Sequence, residues 1–437
     1  MVLGTSLFYF AIGRLLLLDT AIAVLMSATL FCFILGVREP PGARRRWWFH
    51  ALYVSSALAT LTKGLMGFLV TGGVMFTWLL VFNQWRRLRP FYLPTGVVLF
   101  LAVAAPWHVV VGWRNPEWAG FYFIHEHWAR FTTTEHNRFE PWWYFAPIVL
   151  VGMFPGIVFL WPALRATLAG GWARRKENAD PWFFVTWALF VFLFFSKSQS
   201  KLAPYIIPVF PPLAVLTGAW LARAAAENTA AGRRNGLRVF CFLCGVLAAA
   251  AGVAVLKPGL IGNPAVAATL RPHAAGLAAV LLLGGVASWW AEIKRGGRAG
   301  MVAMTATTLG AYLILNLASP HLQRPSTKPL ALQATALVQP GDRVFHYHGF
   351  FHDFTFYAAR TVGTVSHPDE LELQFLDPAE RAARFIDDAE FRRLWAGPGR
   401  IFAVGHRKEV DKLFADSAFQ YHLLGQTRYH YLFSNRP

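Results

Sequence analysis

Charge is what this sequence has least of. Of its 437 residues only 15% are Asp, Glu, Lys or Arg, against about 25% in a typical soluble domain. Acidic residues are the scarcer kind, 23 against 41 basic ones, and the formal net charge is +18. Cysteine is nearly absent. Cys32, Cys241 and Cys244 all lie inside apolar runs, which argues against a disulfide framework and leaves the Cys241/Cys244 pair as small packing residues. The first residues lack a basic segment and a small-residue cleavage site, so they do not read as a secretory signal. There is no phosphate loop or dinucleotide fingerprint, and no nucleotide cofactor is expected. No repeat of fixed period and no low-complexity segment interrupts the chain. No basic, aromatic-studded platform of the kind that grips single strands is present, so the positive charge does not point to nucleic acid.

What is there instead is apolar length. The chain is 55% hydrophobic, and run after run approaches the roughly 20 residues that cross about 30 Å of hydrocarbon. The segments fall near 17–37, 47–62, 64–82, 91–112, 142–165, 181–195, 203–222, 237–256, 274–290 and 300–318, with 1–13 as the end of one more helix. The expectation is an all-α polytopic membrane domain of about ten or eleven helices over residues 1–318, followed by a small soluble α/β domain over 319–437. In that tail Arg343 to Tyr347, Arg400 to Val404 and Arg428 to Phe433 read as strands, and Pro378 to Phe385 and Lys408 to Phe414 as helices.

Loop charge orients the chain. Arg38 and Arg44 to Arg46, Arg86 to Arg89, Arg174 to Lys176, Arg223 to Arg238, and Lys294 to Arg298 occupy every second loop. These belong in the cytoplasm, which puts the alternate loops and the C-terminal domain outside it, in the periplasm of a bacterial inner membrane.

Basic residues on the outer side run against that bias, and they come with acids, histidines and aromatics in four places. The first is Gly13-Arg14 to Asp19, at the end of a membrane helix, where ionisable groups are expensive and tend to be functional. An Arg14–Asp19 pair that only locks packing is the other reading. The second is Thr62-Lys63-Gly64 in a very tight turn. Lys63 there either takes a phosphate as a point charge or snorkels to the interface. The third is the long loop with His125, Glu126, His127 and Arg130, bounded by Pro106-Trp107 and Trp142-Trp143-Tyr144. Histidine suits metal ligation or proton transfer, arginine suits phosphate, and the tryptophans suit an interfacial belt. The fourth is Ser196-Lys197-Ser198 through Ser200-Lys201 to Pro204-Tyr205 and Pro208, with two cations, hydroxyl donors and a proline-broken helix entry. Together they describe a pocket for the head of a lipid phosphate. In the tail, His346, His348, His352 and Asp353 read either as a metal site or as surface and structural histidines.

The pieces Gly13-Arg14 to Asp19, Leu61 to Gly64, Ala105-Pro106-Trp107, His125 to Phe131, Ser198 to Tyr205 with Pro208, and Ser319 to Pro329 run in an order that resembles a known family. It is that of the GT-C lipid-linked-sugar glycosyltransferases, similar to the aminoarabinose (lipid A) transferases and protein mannosyltransferases. The resemblance implies transfer of a sugar from an undecaprenyl-phosphate donor to an extracytoplasmic lipid or protein acceptor. It places Lys63, Arg130 and Tyr205 at positions expected to hold the lipid phosphate, joined on our reading of the loop by Lys201. It places His125 where a divalent cation could bind and Asp19 at an important acidic position. Arg14, Glu126, His127 and Ser198 are expected to support them. The family's large first outer loop, with its Asp-Glu pair, has no counterpart here. A chain lacking its N-terminal part is therefore expected, with Asp19 the best remaining catalytic acid. A transporter or lipid flippase, and a non-catalytic scaffold, are the rival readings.

Overall fold

In the computed structural model, residues 1–129, 140–226, 230–257, 264–322, 326–367 and 377–437 are described. The chain divides into two compact units, Met1–Ala318 and Ser319–Pro437. Among the described residues the first unit is built of helices and their turns, and the second carries all six strands.

Each expected apolar segment of the first unit is helical, but fewer of them qualify as spans than the expected ten or eleven. Among the described residues seven helices are long and apolar enough to cross a membrane, or eight if one bent pair counts as a span. The shortfall has local causes. Met66–Phe82 has 17 residues, about 26 Å at 1.5 Å per residue. Ala43–Lys63 is long enough but opens on Arg44, Arg45 and Arg46 and closes on Lys63. The 142–165 segment is not one rod. It is Phe145–Gly152 and Gly156–Thr167, bent by 92°, with Pro155 lacking the N–H that would carry a helix through.

A break at that depth frees backbone groups that lipid cannot satisfy, and the start of the chain covers them. The Ser6 hydroxyl donates to the Gly152 carbonyl at 2.7 Å, and the Leu7 N–H donates to the Phe154 carbonyl at 3.0 Å. The expected partial helix at residues 1–13 is thus a short piece, Leu7–Ile12.

Leu18–Arg38 and Ala43–Lys63 pack antiparallel, and their joined ends differ in kind. At one end Arg38 and Arg87 reach Asp180 at 2.7 and 2.6 Å. Arg45, only 3% exposed, donates to the Glu39, Arg87 and Pro90 carbonyls at 2.8, 2.6 and 3.0 Å. At the other end lie Asp19 and Lys63.

The second unit is an α/β layer structure. Its strands are β1 (Arg343–Tyr347), β2 (Gly363–Val365), β3 (Phe385–Ile386), β4 (Ile401–His406), β5 (His422–Gln426) and β6 (His430–Ser434), in the order β3-β2-β1-β4-β6-β5. The first four pair parallel, and β6 and β5 add antiparallel. Alternation along β1 divides the core: Phe345 and Tyr347 join Phe391 and Trp395 on one face, while Val344 joins Leu330 and Phe354 on the other.

Candidate functional site

The turn after Ala43–Lys63 builds the site. Gly64 has φ +77° and ψ −160°, a conformation almost reserved for glycine. It reverses the chain within three residues and leaves Lys63 at the helix end. Asp19 sits in the first turn of Leu18–Arg38, where a carboxylate meets the positive end of the helix dipole. The Lys63 ammonium donates to Asp19 Oδ1 and pairs with it. The same ammonium lies over the Tyr205 ring, 4.5 Å from its centroid, a cation–π contact. Tyr205 is held in the 3₁₀ stretch Ala203–Val209 between Pro204 and Pro208.

These groups face a cavity of about 490 Å³. Leu18, Ile22, Met26 and Met66 give it an apolar wall, Trp107, Tyr122 and Phe195 an aromatic one, and Lys63, Tyr205, Ser198 and Ser200 a polar side. Asp19 is the sole carboxylate among the described lining residues. The Lys63 side chain remains 32% exposed against 15% for Asp19, so a ligand can reach the cation more readily than the acid. Ser198 donates to the Ser200 carbonyl at 3.0 Å. Ser200 Oγ is buried and has no hydrogen-bond partner among the described residues, an unmet donor in the cavity wall.

Other expected residues stand elsewhere. Lys201 does not line the cavity. It is 4% exposed and donates to the Glu140 carbonyl at 2.7 Å. Burial pushes its ammonium down from the usual lysine range, with the Glu140 carboxylate opposing. Arg14 does not pair with Asp19. It reaches Asn316 and stacks on Phe10, 4.5 Å from the ring centroid. The side chains of His125, Glu126 and His127 lie outside the described residues, as does Arg130 altogether; the backbone of Gly120–Ala129 is a π-helix.

One cluster escaped the sequence reading. His108 Nε2 meets the Tyr122 hydroxyl at 3.2 Å and its Nδ1 meets the Ala104 carbonyl at 2.8 Å. Trp118 stacks on Tyr122 at 4.7 Å. The available signal was the Trp118/Tyr122 spacing of four, one helical turn, beside a histidine that follows Trp107.

Among the described residues no three His, Cys, Asp or Glu side chains gather as a metal site. In the second unit His346 is buried against Phe350, Phe351 and Phe354, and His348 pairs with Asp388 at 2.7 Å.

A multi-pass membrane protein with a cation-bearing, aromatic-walled cavity where several helix ends meet is the class that fold and cavity define. Residues 1–122 match the model of the dolichyl-phosphate-mannose-protein mannosyltransferase family. The undecaprenyl phosphate-alpha-4-amino-4-deoxy-L-arabinose arabinosyl transferase of Edwardsiella ictaluri is 28% identical over 338 residues, 77% of this chain and 59% of that protein. Its namesake from Pectobacterium atrosepticum is 31% identical over 258 residues, 59% of this chain and 44% of that one. The chain thus spans about half of the length of these curated relatives. The crystal structure of ArnT from Cupriavidus metallidurans bound to undecaprenyl phosphate superposes with a TM-score of 0.83 at 26% identity, covering 99% of this chain and 77% of that one. The apo structure gives 0.77. The chain shares the fold of these ArnT structures and is similar in sequence to the aminoarabinose transferases, the likeness its motifs carried.

Proposed function

We infer that this chain serves a glycosyltransferase that moves a sugar from an undecaprenyl-phosphate donor to an extracytoplasmic acceptor, a lipid of the lipid A type or a protein. The carrying observation is Lys63: a reachable cation at the end of a membrane helix, facing a cavity whose other walls are apolar and aromatic. A polyprenyl phosphate has that amphipathic form. Its chain stays against Ile22, Met26 and Met66 while its phosphate meets Lys63, the Tyr205 hydroxyl and the unmet Ser200 hydroxyl. Arginine-rich ends on the opposite side support a reaction outside the cytoplasm of a bacterial inner membrane, with the second unit in the periplasm.

In the transfer an acceptor oxygen forms a bond to the anomeric carbon. The bond from that carbon to the phosphate oxygen breaks, its electron pair leaves with the lipid phosphate, and the acceptor proton goes to a base. Lys63 stabilises the charge arriving on the leaving phosphate, where fixed cations act most strongly. Asp19, tied to Lys63, positions that cation and does not take the proton. Arg130 and the His125 cation site belong to the same reading. Among the described residues no three His, Cys, Asp or Glu side chains gather to hold a metal, and the His125 side chain lies outside them.

The test is binding of undecaprenyl phosphate to the full chain in nanodiscs. Lys63→Ala should weaken it about a hundredfold, the scale of losing one preorganised donor to a developing anion, with membrane insertion unchanged. Wild-type affinity in that variant would overturn the assignment.

A further inference from the structure

The second unit holds an open cavity of about 490 Å³ that the transfer reaction does not use. It lies where helix His352–Ala358 hands the chain to β2 and where β3 begins. Thr355, Arg360, Thr361 and Arg384 supply its polar side, Phe350 and Phe385 flank them, and no carboxylate is among its described lining residues.

Two side chains there are left unsatisfied. Thr355 Oγ1 is buried without a hydrogen-bond partner among the described residues. A helical threonine ordinarily bonds the carbonyl one turn back, as Thr335 does to Ala331 at 2.9 Å. Arg360 is half-buried with no hydrogen bond or ion pair to any described residue. By contrast Arg392 and Arg393 reach carboxylates at 2.7 and 2.6 Å, and Arg400 reaches the Pro437 carbonyl at 2.7 Å. Arg384 is engaged by Glu380 at 2.7 Å in an exposed pair one helical turn apart, a weak contact that an oxyanion can share. Arg343 donates to the Ala383 carbonyl, which adds a third guanidinium beside this segment.

We propose that this cavity binds a phosphate monoester bearing an apolar arm. Two guanidiniums and two hydroxyls offer more donors than a carboxylate has lone pairs for, and they suit the three oxygens of a phosphate. The flat faces of Phe350 and Phe385 take the arm. An anionic lipid headgroup and a soluble phosphorylated molecule share this chemistry.

Calorimetric titration of the full chain in phosphatidylcholine nanodiscs with hexyl phosphate tests it. Wild type should bind hexyl phosphate at least about tenfold more tightly than hexanoate. Arg360→Ala and Arg384→Ala should each weaken binding about tenfold, and Thr355→Val about threefold. Arg360→Lys should stay within about threefold of wild type, which controls for folding. Lys63→Ala should leave the titration unchanged and so separates this cavity from the donor site. Phosphatidic acid in the nanodisc should compete if a lipid headgroup reaches the cavity; an unchanged titration marks a soluble ligand, and either result supports the site. Arginine variants within twofold of wild type, or hexanoate binding as tightly as hexyl phosphate, would overturn the proposal.

Discussion

At the scale of the residue, the Lys63–Asp19 pair decides how the cavity works. A lysine held between a carboxylate and an aromatic face is fixed in place before a ligand arrives, and a fixed cation needs little reorganisation when charge develops nearby. On the proposed reading Asp19 holds Lys63 and is not the general base. Asp19→Asn should weaken donor affinity and lower kcat by about tenfold each, because it releases Lys63 without removing it. A base would behave differently, with kcat falling about 10²–10⁴-fold at unchanged KM. Steady-state kinetics separate the two. Lys63 was legible in the sequence because a basic residue in so tight a turn has few places to go. Lys201 was not. Which way a loop lysine faces depends on the Glu140 carbonyl, 61 residues away, and no local pattern reports that.

At the scale of the element, the turn between Ala43–Lys63 and Met66–Phe82 is the most constrained feature near the site. Gly64 occupies a region that an L side chain enters only at about 1–3 kcal/mol of strain. Gly67 lies so close to the preceding helix that a Cβ would stand 2.6 Å from the Ala59 backbone. Gly64→Ala should lower the thermal stability of the detergent-solubilised chain and donor affinity together, because Lys63 moves with the turn. Gly67→Val should lower stability by about 1–3 kcal/mol through overpacking. Unchanged melting and unchanged binding in both would mean the turn has freedom the structure does not show. Hydropathy located every apolar segment but not the 92° bend in the fifth. A bend is stable only if something satisfies the opened backbone, and that comes from Ser6 and Leu7, far away in sequence.

At the scale of the whole molecule, the two units answer to different solvents and should respond to pH differently. In the second unit His346 is fully buried among aromatics, with Nε2 unpartnered among the described residues. Burial, with the charges of His352 and His367, pulls it down to about 3 despite the Asp353 carboxylate. A histidine lowered in the folded state is protonated first in the unfolded chain. Stability of this unit therefore falls as pH drops from about 6.5 toward 3, by about 1.4 kcal/mol per pH unit. Burial raises Asp353, but hydrogen bonds from Thr327 and Ser326 overcome it and hold the carboxyl below its ordinary 3.8. Its contribution is present above that value and is lost only at lower pH, so between pH 6.5 and 5 His346 dominates. Hydrogen exchange of β1 and β4 amides in the full chain, corrected for intrinsic rates, should show about 2 kcal/mol less protection at pH 5 than at pH 7. In His346→Leu most of that difference should vanish. An equal drop in both proteins would remove His346 as the cause.

The amino-acid sequence by itself determined that lipid is the solvent for most of the chain, where a soluble α/β region begins to read differently, and which few cations depart from the loop-charge bias. Those are consequences of transfer free energy and chain periodicity, which act on each segment alone. Only the tertiary structure decided which of those cations share a space. It brought Lys63 to Asp19 and Tyr205, buried Lys201 against a distant carbonyl, sent Arg14 to Asn316, and left Ser200 unmet in a cavity wall. A pairwise contact between remote elements is fixed by packing and hydrogen-bond satisfaction across the fold, and neither is written in any one segment.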